Sequence, residues 1–251
     1  EKNPDTKNTI VMGPWSHGQW ASSSPHQSVG EIYFGEGISA FYQKEIEYPF
    51  FMKHLKDVNI KDLPEAYMFD TGKKSWSTFD HWPPKNIEQN SWYIHSNGRL
   101  NDTKPGKSGK KYTEYKSDID NPVPYKEESE LVFIPQDYMT DDQRFAARRP
   151  DVITFETPVL KEDITLAGDM LANLFVSTSG TASDWVVKLV DVYPPSTDES
   201  EHTPEDVELD NYHQMVRSEV MRGRFRDSYE NPKPFKPNKV TNIDLPLQDV
   251  Y

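Results

Sequence analysis

The segment Gly13-Pro14-Trp15-Ser16-His17-Gly18 carries the clearest chemistry in this 251-residue sequence. A short apolar run, Thr9-Ile10-Val11-Met12, stops at a Gly-Pro turn, and a histidine follows at once. In open α/β sheets, reacting groups sit just beyond the carboxyl ends of strands. An imidazole placed there titrates near neutral pH. A carboxylate on one ring nitrogen leaves the other able to take a proton, which is the work of a general base. The residue types leave a second reading open, a loop histidine packed on Trp15. A base also needs a nucleophile. The sequence holds no cysteine and no Gly-x-Ser-x-Gly elbow, since Gly37-Ile38-Ser39 and Gly106-Lys107-Ser108 each lack the later glycine. His17 by itself therefore cannot make an acyl-enzyme.

The other histidines, His26, His54, His81, His95, His202 and His213, show neither H-E-x-x-H nor paired metal-ligand spacing and read as surface or loop positions. Gly106-Lys107-Ser108-Gly109-Lys110-Lys111 lacks the spacing of a phosphate loop and reads as a flexible solvated segment. Asp198 to Asp210 holds seven carboxylates in thirteen residues. It could attract Ca²⁺, but it has neither the EF-hand order nor a rigid turn, and it reads as a solvated, mobile loop whose metal binding stays open. No cofactor is expected. Asn101-Asp102-Thr103 is a formal glycosylation sequon of a kind chance often produces. Asp142-Gln143-Arg144 and Arg148-Arg149-Pro150-Asp151 read as an Arg–carboxylate network that pins a loop.

These groups must be positioned by two kinds of element. Thr9 to Met12 reads as a strand buried on both faces, as in a parallel sheet. Ile38, Phe41, Tyr42, Ile46, Phe50 and Leu55 form one helical stripe over 36–57, with a kink or break expected at Pro49. From about Asp62 the pattern becomes short strands punctuated by Gly and Pro: 66–69, 92–94 before a Ser96-Asn97-Gly98 turn, 152–155, 164–167, 174–178 and 185–193. Such spacing indicates an all-β sandwich or jelly roll, with the strand at Trp185 central because both its faces are apolar.

Composition excludes several functions. Lys plus Arg is 28 and Asp plus Glu is 41, a formal net charge of −13. An acidic chain lacks the basic stripe that nucleic acid requires and is repelled by an anionic membrane surface. Without cysteine there is no disulfide framework and no thiolate metal site. The hydrophobic fraction is low at 35%, but aromatics reach 12%, so the chain reads as folded, with thin cores and many loops. The first residues lack an initiator methionine and the last lack any terminal feature, so the sequence is expected to be a piece of a longer protein.

Taken in order, these segments resemble one family: Gly13-Pro14-Trp15-Ser16-His17, the stretch Phe50-Phe51-Met52-Lys53-His54-Leu55-Lys56, Asn121-Pro122-Val123-Pro124, Asp142-Gln143-Arg144, Arg149-Pro150-Asp151-Val152-Ile153-Thr154-Phe155, the run Ser183 to Pro194, and Arg222-Gly223-Arg224-Phe225-Arg226. The chain is similar to the α-amino acid ester hydrolases, a group close to glutaryl-cephalosporin acylases and cocaine esterase and more distant from X-Pro dipeptidyl peptidases. The match runs over nearly the whole chain.

The resemblance implies a mainly β chain. Residues 1–60 would be the last strand and helix of an α/β-hydrolase domain, and residues 61–251 an incomplete C-terminal jelly-roll β-sandwich. It implies a serine hydrolase or acyltransferase acting on small-molecule esters or amides of (α-amino) acyl groups. His17 matches the family's catalytic histidine. The serine, the triad aspartate, the oxyanion tyrosine and the carboxylates that hold an α-amino group would lie upstream, so the chain alone would be inactive. Tyr138 and Met139 either line the acyl pocket or pack beneath their loop. The partners implied are the upstream hydrolase and cap domains, with no nucleic acid and no membrane. A homo-oligomer stays open, and an exported or periplasmic location is implied by the family alone. One alternative is a piece of an X-Pro dipeptidyl peptidase; a second function class is a carbohydrate-binding jelly roll with Trp76, Trp82 and Trp92 exposed for stacking on sugars. A third is a purely structural β domain.

Overall fold

Residues 6–109, 111–127 and 136–251 are described by the computed structural model. Thus Lys110 of the Gly106–Lys111 segment, and 128–135 of the loop before Asp142, lie outside the described residues.

β1 (Ile10–Met12) forms where an apolar run meets Gly-Pro. It pairs in parallel with β4 (Ala66–Asp70), which pairs antiparallel with β5 (Ser75–Phe79), giving the order β1-β4-β5. The middle strand is closed, with Ala66 and Met68 fully buried. β1 has a partner on one edge among the described residues and leaves Ile10 40% exposed, so it is not buried on both faces as expected. The sheet that begins at β1 continues past residue 60 to Phe79.

Between β1 and β4 the chain makes a hairpin and a helix. β2 (His26–Val29) and β3 (Ile32–Glu36) turn Gln27, Val29, Ile32 and Phe34 inward, the alternation of a half-buried ladder. The helix keeps the expected limits but not the expected break. α1 (Ile38–Phe41) runs into a π segment (Tyr42–Glu47) and then α2 (Tyr48–Lys56). The Tyr48 N–H donates to the Gln43 carbonyl, five residues back. This wider turn comes just before Pro49 and precedes the place where a missing N–H would otherwise interrupt the ladder. Ile38 and Ile46 are buried, whereas Phe50, Phe51 and Leu55 are exposed, so only the first half of the stripe packs within the chain.

The principal core joins Val29, Ile32, Phe34, Ile38 and Phe69 to Val207, Leu209 and Tyr212. Trp15, Trp76, Met139 and Tyr193 pack against it. Val207 and Leu209 belong to the acidic run, which is therefore anchored to the hairpin rather than free in solvent as the charge count suggested. Carboxylates occupy the positions between these apolar residues, and composition conceals that alternation.

The rest of the chain is mainly β. β6 (Tyr93–Ile94) and β7 (Leu100–Asn101) form the hairpin expected around Ser96-Asn97-Gly98. Residues 152–155 do not form a strand; a single bridge, Arg99 with Glu156, marks the place. α3 (Arg144–Ala147) is one turn. β8 (Gly168–Val176) begins at the glycine expected to end a strand, and 164–167 is not extended into the ladder. β9 (Asp184–Val192) pairs with β10 (His213–Arg222), and β8 pairs with β11 (Thr241–Val250). β11 alternates cleanly, with Ile243, Leu245 and Leu247 buried and its bulge just after Pro246. Among the described residues β9 has β10 as its only strand partner, so it is not central. Alternating apolar residues report on faces rather than edges, and one face of β9 is met by the 140–147 segment, where Lys188 donates to Gln143. No described helix is long and apolar enough to cross a membrane.

Candidate active site

The loop after β1 is held from three directions. The Gly13 position has no room for a side chain, because a Cβ there would lie 2.5 Å from the Trp15 ring. Trp15 folds back inward, meets Tyr42 and Trp76 with ring centroids 5.2 and 5.6 Å away, and donates its indole N–H to Ser39 at 3.0 Å. Ser16 is buried; its N–H donates to Gln19 Oε1 at 2.7 Å and its hydroxyl donates to Gln136 Oε1 at 2.7 Å. Ser39 Oγ closes the base of the loop by donating to the Gln19 carbonyl at 2.9 Å. Between these fixed neighbours His17 points into solvent. Its ring touches Trp20 edge-on at 5.6 Å and not Trp15, so the packed-on-Trp15 reading does not hold. Among the described residues no hydrogen bond reaches the imidazole.

The two residues implied to border the acyl pocket lie next to this loop, although they are more than a hundred positions away in sequence. The 3-10 turn Gln136–Met139 is locked to it, because Gln136 Nε2 also donates to the His17 carbonyl at 3.4 Å. Tyr138 lies against Tyr125 with centroids 5.6 Å apart, while Met139 packs on the core. The turn is itself gripped by the β2–β3 hairpin. Thr140 Oγ1 donates to the Val29 carbonyl at 2.7 Å, and a Cβ at Gly30 would fall 2.8 Å from Thr140 Oγ1 and 2.9 Å from Asp137. Tyr212, 1% exposed, offers its hydroxyl to Glu31 at 2.8 Å and to the Thr140 carbonyl at 2.9 Å. Burial first, and the Glu31 contact second, push this phenol well above its ordinary range, so it remains a donor. Gln136 is the contact to the His17 loop that the sequence does not reveal. A glutamine 120 residues from its partner leaves no local pattern.

Beside the turn, Lys126 bridges Asp137 at 2.8 Å and Asp141 at 3.7 Å. Burial raises the Asp141 pKa against the pull of Lys126. The Arg–carboxylate network is present as expected: Arg149 makes a two-pronged contact with Asp151 at 2.8 Å and reaches the Asn121 carbonyl, and Arg144 pairs with Asp142. Two surface recesses have volumes of about 240 and 390 Å³. The first lies between the hairpin and Trp76, and the second between Arg144, Arg148 and His213. Neither is lined by His17, Tyr138 or Met139. The tryptophans proposed for sugar stacking are mostly engaged. Trp76 packs on the core, Trp82 donates to Asp249 at 3.0 Å, and only Trp92 is exposed.

The chain is similar to known hydrolases. It is 25% identical over 251 residues to cocaine esterase from Rhodococcus sp. (strain MB1 Bresler), covering 95% of this chain and 40% of that protein. Among solved structures it superposes on an aminopeptidase from the marine sediment archaeon Thaumarchaeota archaeon with a TM-score of 0.85 and 34% identity, covering 97% of this chain and 39% of the other. An α-amino acid ester hydrolase gives a TM-score of 0.82 and 31% identity, with coverages of 97% and 40%. The chain thus spans about 40% of the length of these relatives. The X-Pro dipeptidyl-peptidase C-terminal non-catalytic domain matches residues 58–250, a stretch that holds Tyr138 and Met139 and excludes His17. Over those residues the chain belongs to that domain family.

Proposed function

We propose that this chain is the C-terminal part of a serine hydrolase that cleaves esters or amides of α-amino acyl groups, and that His17 is its general base. The observation that carries the reading is the state of His17. It stands at the carboxyl end of a strand in a parallel pair, on a loop fixed by Trp15, Ser16 and Gln19, with its ring open to solvent. A firmly mounted imidazole whose ring nitrogens have no hydrogen bond among the described residues suits a partner serine and aspartate from another part of the protein. The similarity to an esterase, an aminopeptidase and an α-amino acid ester hydrolase supports the reaction class, and the last two favour substrates with an α-amino group.

In this reading the β1-β4-β5 sheet is the last part of an α/β-hydrolase sheet, and β8 to β11 belong to a jelly-roll sandwich. His17 takes the proton from the serine hydroxyl as its oxygen attacks the carbonyl carbon. It returns that proton to the departing alcohol or amine, and then removes one from water as the acyl-enzyme is hydrolysed. Tyr138, on the turn locked to the His17 loop, borders the acyl side chain. Met139 supports it from the core.

The test is steady-state kinetics on an α-amino ester with the full-length protein. His17→Ala should lower kcat by about 10³-fold or more with the fold intact. A variant that retains normal turnover refutes the role. Residues 1–251 alone should show no esterase activity, because they lack the nucleophile.

A further inference from the structure

We propose that His26, Glu36 and His202 form a binding site for a transition-metal dication of the Zn²⁺ class, which ties the acidic loop to the β2–β3 hairpin. The proposal does not depend on the hydrolase reading.

The three ligands come from two places. His26 and Glu36 are opposite each other in the hairpin register, so their side chains leave the same face, and His26 Nδ1 lies 3.4 Å from Glu36 Oε1. With metal–ligand bonds of about 2.0–2.1 Å, neighbouring ligands of a tetrahedral zinc are about 3.4 Å apart. The acidic loop brings His202 over this pair. Its ring lies 4.5 Å from that of His26 and 4.3 Å from that of Tyr33, centroid to centroid. The ligand atoms of all three residues fall within 4.8 Å of one another, so modest rotations about the side-chain bonds complete the set.

The backbone around the ligands is already fixed. At the hairpin end the Gly37 N–H donates to the Pro25 carbonyl at 2.7 Å, and the His26 N–H donates to Ser24 Oγ at 3.2 Å. At the loop the His202 N–H donates to Ser200 Oγ at 3.1 Å and the Thr203 N–H to the Ser200 carbonyl at 3.0 Å. Val207 and Leu209, a few residues on, sit in the same core as Val29, Ile32 and Phe34. Binding therefore requires little ordering of the chain.

The donor chemistry selects the metal. Two imidazoles and one carboxylate suit Zn²⁺, Ni²⁺ or Cu²⁺, whereas Ca²⁺ prefers oxygen alone. Glu201 Oε1, 3.8 Å from His202 Nε2, adds negative charge beside the set. The side chains of His202, His26 and Glu36 are 25%, 49% and 63% exposed, so an ion can enter from solvent and keep water on its remaining positions.

Titration calorimetry with ZnCl₂ on the full-length protein tests the site, with Co²⁺ absorption as a report on geometry. The expectation is saturable binding that is weakened about tenfold or more by His26→Ala, by His202→Ala and by Glu36→Gln. His54→Ala, which alters an exposed histidine elsewhere, should leave it unchanged. Zn²⁺ should raise the melting midpoint of the parent and not that of His202→Ala. Because none of the three ligand side chains is buried in the core, circular dichroism of the metal-free variants should match the parent. Any fold defect in one variant is bypassed by the other two. Absence of saturable Zn²⁺ binding, equal binding in all three ligand variants, equal weakening by His54→Ala, or an equal response to Ca²⁺ would each overturn the proposal.

Discussion

The loop after β1 and the acidic loop before β10 each hold a histidine at the surface from anchors in one core. The first is anchored by Trp15, with Ser16 hydrogen-bonded on one side of His17 and Gln19 on the other. The second is anchored by Val207, Leu209 and Tyr212. They differ in what surrounds the imidazole. Among the described residues the His17 ring meets the edge of Trp20, whereas His202 lies among Tyr33, His26 and Glu36. A ring left alone on a rigid mount suits a partner that arrives from another part of the protein. A ring already grouped with donors suits an ion.

The comparison is broken most directly by exchanging the two losses. In the full-length protein His17→Ala should reduce kcat by about 10³-fold or more, while His202→Ala should leave kcat within about twofold. Equal effects on turnover would mean that the two loops do not have separate roles. The next largest effect concerns the anchor they share. Tyr212 is buried between the hairpin and the 136–140 turn, so Tyr212→Ala opens a cavity and removes the contacts to Glu31 and Thr140. The expected cost is about 3–5 kcal/mol by urea unfolding. A loss below about 1 kcal/mol would show that the core does not hold the acidic loop.

A smaller effect separates positioning from catalysis. Gln136 touches Ser16 and the His17 carbonyl but no ring atom of the histidine. Gln136→Ala leaves the buried Ser16 hydroxyl without its acceptor, a loss of about 1–3 kcal/mol in local order. The expected result is a several-fold fall in kcat with little change in KM, and recovery in Gln136→Glu, which retains an acceptor. A fall in KM-limited binding alone would place Gln136 in substrate recognition instead.

How far this arrangement was legible follows from which signals are local. β1, the helix limits, the 93–101 hairpin and β9 are read from runs and turns within a few residues, and the His17 position follows from strand, turn and histidine together. The β2–β3 hairpin is hard to read in sequence because its alternation, Gln27-x-Val29 and Ile32-x-Phe34, is short and begins with a buried glutamine. β10 and β11 are obscured in sequence because arginine and proline stand inside them; Arg217 donates across to the Leu247 carbonyl of β11, and Pro246 lies at a bulge. The strand expected at 152–155 does not form: the pairing with the 98–100 stretch falls on Glu156, which donates to the Gly98 carbonyl and accepts from the Leu100 N–H. The anchoring of 198–210 could not be read from seven carboxylates, because Val207 and Leu209 acquire meaning only when the hairpin folds beneath them. Gln136 and the His26–Glu36–His202 set are products of tertiary contact, with no spacing in sequence to announce them.

The smallest effect tests whether the two regions are held by different forces. Near the start of β1, Asp62 accepts from Lys7 and Lys53, each at 2.5 Å, tying the strand's lead-in and α2 to the 57–65 connection. The acidic loop is held by apolar side chains and should be indifferent to this pair. Hydrogen bonds from Lys53, then from Lys7, lower the Asp62 pKa from 3.8 to about 2. A carboxylate whose folded pKa is depressed contributes stability above its unfolded value of about 3.9, and that contribution disappears as pH falls through the folded value. The stability difference between the parent and Asp62→Asn should therefore be constant above about pH 5 and shrink between about pH 4 and pH 2. Asp62 and Lys7 are exposed and Lys53 is half-buried, so added salt should shrink it as well, and these contacts are only a minor part of the fold's stability. Hydrogen exchange at Ile10 to Met12 should speed up in Asp62→Asn while exchange at Val207 and Leu209 stays as it was. A parallel change at both places would mean that the sheet and the acidic loop open as one unit.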